Sequence, residues 1–242
     1  MESIFIGYDR REVDAYNVCK YSLERRTSVP LYIYPLMIQA QRHLGNFTRK
    51  QIDGVDHVDG KPFSTEFAFT RFLVPHLMGH EGWALFCDCD FLFLSDVENL
   101  LALRNERYAV QCVKHNYAPT ETVKMDGQVQ SVYPRKNWSS LVLWNCGHPS
   151  NQGITPTEVN TKPGSWLHGF EWLRDEEIGG LPESWNWLEG HSDMGMDADA
   201  VHFTRGGPWM QAWEDCDHAE DWLREQELFR HSLGRNLERK AS

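Results

Sequence analysis

Two aspartates, Asp88 and Asp90, interrupt the most apolar stretch of the sequence, LFCDCDFLFL at residues 85–94. Burying an ionised carboxylate without a partner is very unfavourable, so we expect both residues to lie at a strand end and to face a ligand. Ligands of α/β proteins bind at the carboxyl ends of strands. Two carboxylates at i and i+2 can converge there on one hard cation, and oxygen ligands favour Mn²⁺ or Mg²⁺ over Zn²⁺. On these residues alone, a pair of acids that caps a helix or holds an arginine stays open as the alternative.

The flanking segments predict an α/β fold that positions this motif. Apolar strand-like runs at 3–8 and 29–36 enclose a helical pattern at 12–25, which indicates a βαβ unit and a parallel sheet. Further helices are predicted at 63–78, where Ser64, Thr65 and Glu66 supply capping residues, and at 96–104. Strands are predicted at 108–113 and 139–144, irregular segments at 147–164 and 179–195, and an amphipathic helix packed on the core at 217–237.

Composition limits the class of protein. The 242 residues are 41% hydrophobic and 24% charged, with a formal net charge of −11. That charge disfavours nucleic acid and anionic membranes as partners. We expect one domain over 1–242, with no export signal or membrane span, six free cysteines and a cytoplasmic location. The first half, to about residue 96, is expected to bind nucleotide and metal, whereas the tryptophan-rich part, about 97–215, shapes an acceptor cleft. The oligomeric state is not predicted.

Several segments besides the Asp-x-Asp stretch resemble one enzyme family. They are IGYD at 6–9, STEFAFTRFLVP at 64–75, LPESWN at 181–186 and VHFTRGGPW at 201–209. Together these motifs cover most of the chain and resemble the family 8 glycosyltransferases. The resemblance implies a GT-A fold, with a Rossmann-like mixed sheet flanked by helices. It also implies a retaining transfer of a hexose from a nucleotide diphosphate sugar, expected to be a UDP-sugar, to a glycan or other hydroxyl acceptor.

The resemblance also implies roles for individual residues. Asp88 and Asp90 would bind Mn²⁺ or Mg²⁺ together with His202, and Arg71 would help to hold the donor and stabilise the leaving phosphate. The metal charge would allow an acidic chain to hold a diphosphate. The other implied donor contacts are Gly7, Tyr8, Asp9, Cys89, Ser139, Ser140, Asn186, Arg205, Gly206 and Gly207.

The sequence departs from the family pattern at three places. A lysine that contacts the diphosphate is absent near Gly207, and Arg205 is the candidate substitute. The family's Asp-Gln-Asp is also absent, and His168 is the candidate for its catalytic role. Trp138-Ser139-Ser140 replaces an Asn-x-Gly, so the donor sugar and the stereochemistry stay open. Apart from His168 and His202, we expect the histidines to be surface or core residues.

The acceptor side is less defined by the sequence. Aromatic faces suit sugar C–H surfaces, although tryptophan is also a common core residue. The candidate acceptor platforms are Trp138, Trp166, Trp185 and Trp209. Two other classes of protein remain: a sugar-nucleotide or glycan-binding module that has lost turnover, and a haloacid-dehalogenase-type phosphatase with Asp88 as nucleophile and Asp90 as acid/base. The phosphatase motif normally lies in the first strand, whereas here a βαβ unit precedes it.

Overall fold

A computed structural model describes residues 2–115, 135 and 137–241, with side chains to residue 234. The strands are β1 (Glu2–Tyr8), β2 (Leu31–Met37), β3 (Gln51–Ile52), β4 (Val55–Asp56), β5 (Trp83–Cys87), β6 (Phe91–Phe93), β7 (Val110–Cys112), β8 (Leu141–Asn145), β9 (Ile178–Gly180), β10 (Trp187–Leu188) and β11 (Ala200–His202). The α-helices are α1 (Val13–Arg26), α2 (Ile38–His43), α3 (Val74–Leu77), α4 (Val97–Leu101), α5 (Pro156–Thr161), α6 (Gly164–His168) and α7 (Ala219–Ala241).

A mixed sheet with the strand order β2-β1-β5-β8-β7-β9 forms the centre of the described structure. β1 pairs in parallel with β2 and β5, whereas β8 runs antiparallel to β5 and β7. Strand β8 is buried along its whole length and β5 over nearly all of it, as expected for apolar strands covered on both faces. The predicted βαβ unit and α/β class are therefore confirmed. Both halves of the chain contribute strands to this sheet.

The apolar stretch around the two aspartates divides between two sheets. β5 belongs to the central sheet, while β6 pairs antiparallel with β11 in a smaller sheet of order β10-β11-β6. Residues 88–90, here called the sheet junction, connect β5 to β6. The polar residues thus lie where one buried strand ends and the chain crosses to the next sheet.

Two helices cover one face beside this junction. α1 buries one face, which includes Tyr16 and Cys19. In α7, Trp222 is buried and Glu225 forms ion pairs with Arg25 and Arg26, each at 2.7 Å. The predicted C-terminal helix on the core is confirmed. Among the helices in the described ranges, none is sufficiently long and apolar to cross a bilayer.

The predicted helix at 63–78 is mostly wrong. The structure has turns, a 3₁₀ segment at Thr70–Leu73 and then the single helical turn α3. Pro75 lacks an N–H and cannot donate to the residue four positions earlier, so it fits only in the first turn of α3. Phe63, Phe67 and Phe72 are all buried, so packing of this segment replaces helical hydrogen bonding as its main stabilisation.

Regular structure also occurs in the two segments predicted to be irregular. Within 147–164, α5 begins with a capping box formed by Thr155 and Glu158. The segment 179–195 contains β10 and part of β9. These elements are short and depend on their neighbours, which explains why local composition alone did not predict them.

Candidate metal and donor site

Main-chain hydrogen bonds fix the sheet junction on both sides. The N–H of Asp88 donates to the carbonyl of Ser140 at 2.8 Å, which continues the β5–β8 pairing. The N–H of Phe203 donates to the carbonyl of Asp90 at 3.0 Å, which continues the β6–β11 pairing. Each aspartate is therefore held by a different sheet. The expected placement of both residues at the end of a strand is confirmed.

His202, the last residue of β11, joins the two aspartates. Its imidazole stacks on Phe91, with ring centroids 4.5 Å apart and an interplanar angle of 13°. Its Nε2 lies 3.5 Å from Asp90 Oδ2. One ligand atom from each of Asp88, Asp90 and His202 lies within 4.8 Å of the other two. The predicted convergence of these three side chains is confirmed.

This arrangement fits a divalent cation. Within the described residues, Asp90 Oδ1 is buried and accepts no hydrogen bond. A buried carboxylate oxygen without a partner is unfavourable, and a cation would satisfy it. Two carboxylates and one imidazole are compatible with Mn²⁺ or Mg²⁺. Asp88, Asp90 and His202 are thus the side chains that would hold such an ion.

Arg71 is a cation that contacts the sheet junction. Its Nη1 lies 2.8 Å from Asp88 Oδ1 and donates to the Ser139 carbonyl at 2.9 Å. The residue is only 5% exposed, and its guanidinium carbon lies 5.1 Å from the ring centroid of Phe86. Asp88 therefore holds an arginine, which was the alternative considered for the motif. It also belongs to the cluster that could bind a metal ion.

A third carboxylate, Glu12, faces the same region and was not predicted from the sequence. It accepts a hydrogen bond from the Cys89 thiol at 3.4 Å. Burial, followed by the charge of Asp90, raises the pKa of Glu12 to about 7. Burial also raises the pKa of Asp88 to about 7; Arg71 opposes this rise and Asp90 adds to it. No spacing motif marks Glu12; its only signal is its position just before a helix that follows a strand end.

Asn186 and Ser140 lie directly behind His202. His202 Nδ1 is 2.9 Å from Asn186 Oδ1, and Asn186 Nδ2 donates to Ser140 Oγ at 3.0 Å. Ser140 Oγ in turn donates to the carbonyl of Asn137 at 2.7 Å. Both predicted donor-binding residues are buried. Asn186 contacts the imidazole of the candidate ligand directly, and Ser140 is linked to it through Asn186.

Ser139 connects Arg71 to His168. Besides accepting from Arg71, Ser139 has its Oγ 2.7 Å from His168 Nδ1. The imidazole of His168 packs edge-on against Phe72, with centroids 5.1 Å apart. A single residue, Ser139, therefore contacts both His168 and Arg71. A catalytic role for His168 stays a prediction.

His115 is a second site residue that was not predicted. It lies just beyond β7, and its main-chain carbonyl accepts a hydrogen bond from Trp138 Nε1 at 3.0 Å. Burial, followed by the charge of His202, lowers the pKa of His115 to about 4, although hydrogen bonds to Asn186 act in the opposite direction. The imidazole is therefore neutral at pH 7. Only the fold brings it next to His202, and no sequence spacing indicates this.

The end of β1 is an ordered turn built around Asp9. The Asp9 carboxylate is fully buried and accepts from the main-chain N–H groups of Arg11 at 2.9 Å and Glu66 at 3.0 Å. Although burial acts to raise its pKa, these bonds and the Arg11 side chain lower the pKa of Asp9 below its usual range. Tyr8 beside it is half-buried. Contact of Tyr8 and Asp9 with a nucleoside stays a prediction.

Two of the predicted donor-site glycines leave space for aromatic rings. An added Cβ would lie 2.5 Å from the ring of Phe67 at Gly7 and 2.1 Å from the ring of Trp209 at Gly207. Gly206 has φ of +122°, a conformation that favours glycine. Packing thus requires Gly7 and Gly207, and the backbone conformation favours Gly206. The approach of Gly7, Gly206 and Gly207 to a donor stays a prediction.

Arg205, the candidate substitute for the missing lysine, is held by a buried glutamate. Its Nε and Nη2 donate to the two carboxylate oxygens of Glu189 at 3.0 and 2.8 Å, and its guanidinium lies 4.6 Å from the ring centroid of Trp213. Glu189 is 1% exposed. In this arrangement the charge of Arg205 is compensated within the chain.

The four acceptor candidates differ in exposure. Trp185 is 3% exposed and packs in the core, so it lacks the free face that stacking on a sugar requires. This corrects its prediction as an acceptor platform. Trp209 packs against Trp222 with centroids 5.2 Å apart. Trp138 and Trp166 are half-buried, and their contact with an acceptor stays a prediction.

The sequence matches no family model. Protein CDI from Arabidopsis thaliana is 52% identical over 231 residues, which are 93% of this chain and 86% of that protein.

The solved structures similar to this chain include several glycosyltransferases. GlyE from Streptococcus pneumoniae TIGR4 has a TM-score of 0.60 at 15% identity over 93% of this chain; the chain spans 61% of GlyE. The galactosyltransferase LgtC, solved with donor and acceptor sugar analogues, has a TM-score of 0.57 at 13% identity over 93% of this chain and 95% of LgtC. At such identities the similarity shows the fold alone. The predicted GT-A fold is confirmed, and the haloacid-dehalogenase alternative is wrong because it requires a different fold.

Proposed function

The chain belongs to the family of Protein CDI, and we propose that it is a metal-dependent glycosyltransferase that moves a hexose from a nucleotide diphosphate sugar to a hydroxyl acceptor. The observation that carries the proposal is the convergence of Asp88, Asp90 and His202 at the sheet junction of a GT-A fold. A diphosphate leaving group requires positive charge beside it. Because the chain carries a net charge of −11, a bound metal ion would supply that charge. The fold and the site therefore support the same chemistry.

Different residues of the site would hold the metal ion and stabilise the leaving phosphate. Asp88, Asp90 and His202 would hold Mn²⁺ or Mg²⁺, which when bound supplies Lewis-acid stabilisation of charge on the leaving phosphate. Arg71 is fixed by Asp88 and Ser139 before any ligand arrives, so its charge is preorganised for the same phosphate. No side chain is then required to protonate the leaving group.

The finer assignments of donor and stereochemistry rest on the family 8 resemblance. We expect a UDP-sugar as donor, residues 1–96 as the nucleotide and metal half, and retention of configuration. Residues 97–215 would supply the acceptor side, where Trp138 and Trp166 keep partly exposed rings.

One observation favours a second candidate, a module that binds sugar nucleotide but does not turn it over. The lysine of the family pattern is missing, and its substitute Arg205 is neutralised by Glu189. A diphosphate would therefore receive less positive charge from the protein. Binding without transfer is the behaviour expected of this candidate.

A thermal-shift screen of nucleotide sugars with and without Mn²⁺ tests the proposal, followed by measurement of nucleoside diphosphate release. A ligand that binds only the folded state raises its apparent stability. We expect at least one nucleotide sugar to raise the Tm in the presence of Mn²⁺ and to be consumed. A Tm shift without consumption supports the binding module, and no shift with any nucleotide sugar would contradict both.

Asp90→Asn provides the matched variant for that screen. The substitution keeps the size of the side chain but removes a metal-binding charge, so we expect an intact fold and no Mn²⁺-dependent shift. Full activity of Asp90→Asn would refute the metal role.

A further inference from the structure

We propose that Asn186 and Ser140 are positioning residues that fix the tautomer of His202 and aim its Nε2 lone pair at the divalent cation. This inference rests on the proposed function, since it concerns the same metal site. It gives Asn186 and Ser140 a role toward the metal that their predicted donor contact does not include.

Hydrogen bonds link His202 to Asn186, Asn186 to Ser140, and Ser140 to the main-chain carbonyl of Asn137. The carbonyl at the end of this series determines which group donates in each bond. The main-chain carbonyl of Asn137 can only accept, so the Ser140 hydroxyl donates to it at 2.7 Å. The Ser140 oxygen is then free to accept, and Asn186 Nδ2 donates to it at 3.0 Å. This orients the Asn186 amide with Oδ1 toward His202. Because Oδ1 is an acceptor, the nitrogen 2.9 Å away must carry a proton, and that nitrogen is Nδ1.

A neutral imidazole protonated at Nδ1 has its lone pair on Nε2. That lone pair faces Asp90 Oδ2 at 3.5 Å, so two acceptors oppose each other. The arrangement is unfavourable unless a cation lies between them or His202 carries a second proton. The first case is a metal site, and the second is an ordinary histidine–aspartate ion pair.

Burial makes this orientation difficult to exchange. Asn186 is 0% exposed, and Ser140 and His202 are each 3% exposed, so water is largely excluded as a replacement partner. Hydrogen-bond partners behind a metal-binding histidine set its tautomer and orientation, and their loss typically weakens metal binding about 10–100-fold. Ser140 also holds the second ligand, because its carbonyl accepts from the N–H of Asp88 at 2.8 Å.

Mn²⁺ titration of the full chain, followed by electron paramagnetic resonance of free Mn²⁺, tests the effect on the metal. We expect Asn186→Leu to weaken Mn²⁺ binding about 10–100-fold. Asn186→Asp keeps an acceptor for Nδ1–H and should bind Mn²⁺ better than Asn186→Leu does. Ser140→Ala should lie between these variants and the unmodified protein, because it frees the amide to rotate.

Ser22→Ala is the matched control for the serine change. Ser22 is also buried and makes two hydrogen bonds, to the Cys19 carbonyl at 2.8 Å and from the Phe93 N–H at 3.1 Å. We expect a loss of stability without a change in Mn²⁺ affinity. Equal weakening by Ser22→Ala and Ser140→Ala would assign the effect to general destabilisation and overturn the inference.

Nitrogen-15 NMR of the His202 imidazole in the metal-free protein gives a readout that is independent of metal binding. We expect the Nδ1–H tautomer in the unmodified protein and in Asn186→Asp. An Nε2–H tautomer, or a doubly protonated ring at pH 8, would overturn the inference. If the Nδ1–H tautomer is found but Mn²⁺ does not bind, the proposed function fails while the positioning of His202 stands. If Asn186→Leu does not fold, Asn186→Asp and Ser140→Ala decide the result.

Discussion

Two arginine–aspartate pairs, one fully buried and one partly buried, lie in different parts of this chain, and they differ in how many of their polar atoms have hydrogen-bond partners. Arg49 and Asp56 are both 0% exposed and form a two-point contact, with Arg49 Nε 2.8 Å from Asp56 Oδ1 and Arg49 Nη2 bonded to Asp56 Oδ2. Arg49 also donates to two main-chain carbonyls and lies over the ring of Phe69. Arg71 Nη1 lies 2.8 Å from Asp88 Oδ1, and Arg71 Nε has no hydrogen-bond partner within the described ranges.

The pKa values of the two aspartates in these pairs are shifted in opposite directions. Burial acts to raise the pKa of Asp56, but Arg49 lowers it below the usual range, whereas burial raises the pKa of Asp88 to about 7 despite Arg71. A pair whose groups are all satisfied holds the fold. A pair with unused polar atoms beside further acids is the arrangement expected of a ligand site. The comparison therefore contrasts a structural ion pair with the pair at the proposed ligand site, which is made of the same two residue types.

Breaking the completed pair should produce the largest change in stability. Arg49→Met leaves Asp56 buried without its partner, which typically destabilises a protein by about 3–5 kcal/mol. Urea denaturation measures the free energy of unfolding. The double variant Arg49→Met with Asp56→Leu removes both charges and should recover part of the loss. A single variant as stable as the unmodified protein would contradict the structural role.

Breaking the incomplete pair should affect activity more than stability. Arg71→Met removes the positive charge that the proposed mechanism uses at the leaving phosphate, and losing one such group typically lowers kcat about 10²–10³-fold. Its stability loss should be smaller than that of Arg49→Met, because Asp88 can take up a proton. The measurements are nucleoside diphosphate release and urea denaturation on both variants. Equal destabilisation by Arg49→Met and Arg71→Met would remove the distinction between the pairs.

Glu12 should make the stability of the metal-free protein depend on pH. Its pKa is about 7 in the folded state against an ordinary 4.5, so the folded state retains a proton that the unfolded state releases. The free energy of unfolding therefore falls as the pH rises from about 4.5 through about 7. In EDTA we expect Glu12→Gln to have a higher Tm than the unmodified protein at pH 8 and a similar Tm at pH 4.5. An unchanged pH dependence would show that Glu12 is not held in this way.

The smallest effect is expected at an exposed ion pair. Arg10 contacts Glu66 at 2.6 Å, but its side chain is 69% exposed. Solvent screens such pairs, so their contribution to stability is small. Arg10→Met should leave the urea midpoint unchanged within error and is the matched control for Arg49→Met. A large loss would mean that exposure does not distinguish the pairs of this chain.

Local sequence patterns were sufficient for part of this structure. The alternation of apolar runs and helical spacing predicted β1, α1 and β2, and the two acids in an apolar stretch predicted a strand end. These signals are local because each depends on neighbouring residues in the chain. The 63–78 segment failed since tertiary packing of its phenylalanines, together with Pro75, overrides the helical pattern.

The second group of site residues could not be predicted in the same way. Glu12 precedes α1 and contacts Cys89 of the sheet junction, and His115 follows β7 and lies next to His202. Their relevance depends on desolvation and on neighbours distant in sequence. His202 was predicted through the family resemblance, because a single histidine has no signature of its own. Trp185 was placed at the acceptor because tryptophan suits both a core and a sugar platform.

The pairing of β6 with β11 spans only three residue pairs, in which His202 lies opposite Phe91. A slip of one position would turn every side chain of β11 to the other face of that small sheet and carry the imidazole away from the acids. Insertions between β10 and β11 that preserve this alignment should therefore be tolerated. A single-residue deletion inside β11 should abolish metal binding even if the chain still folds.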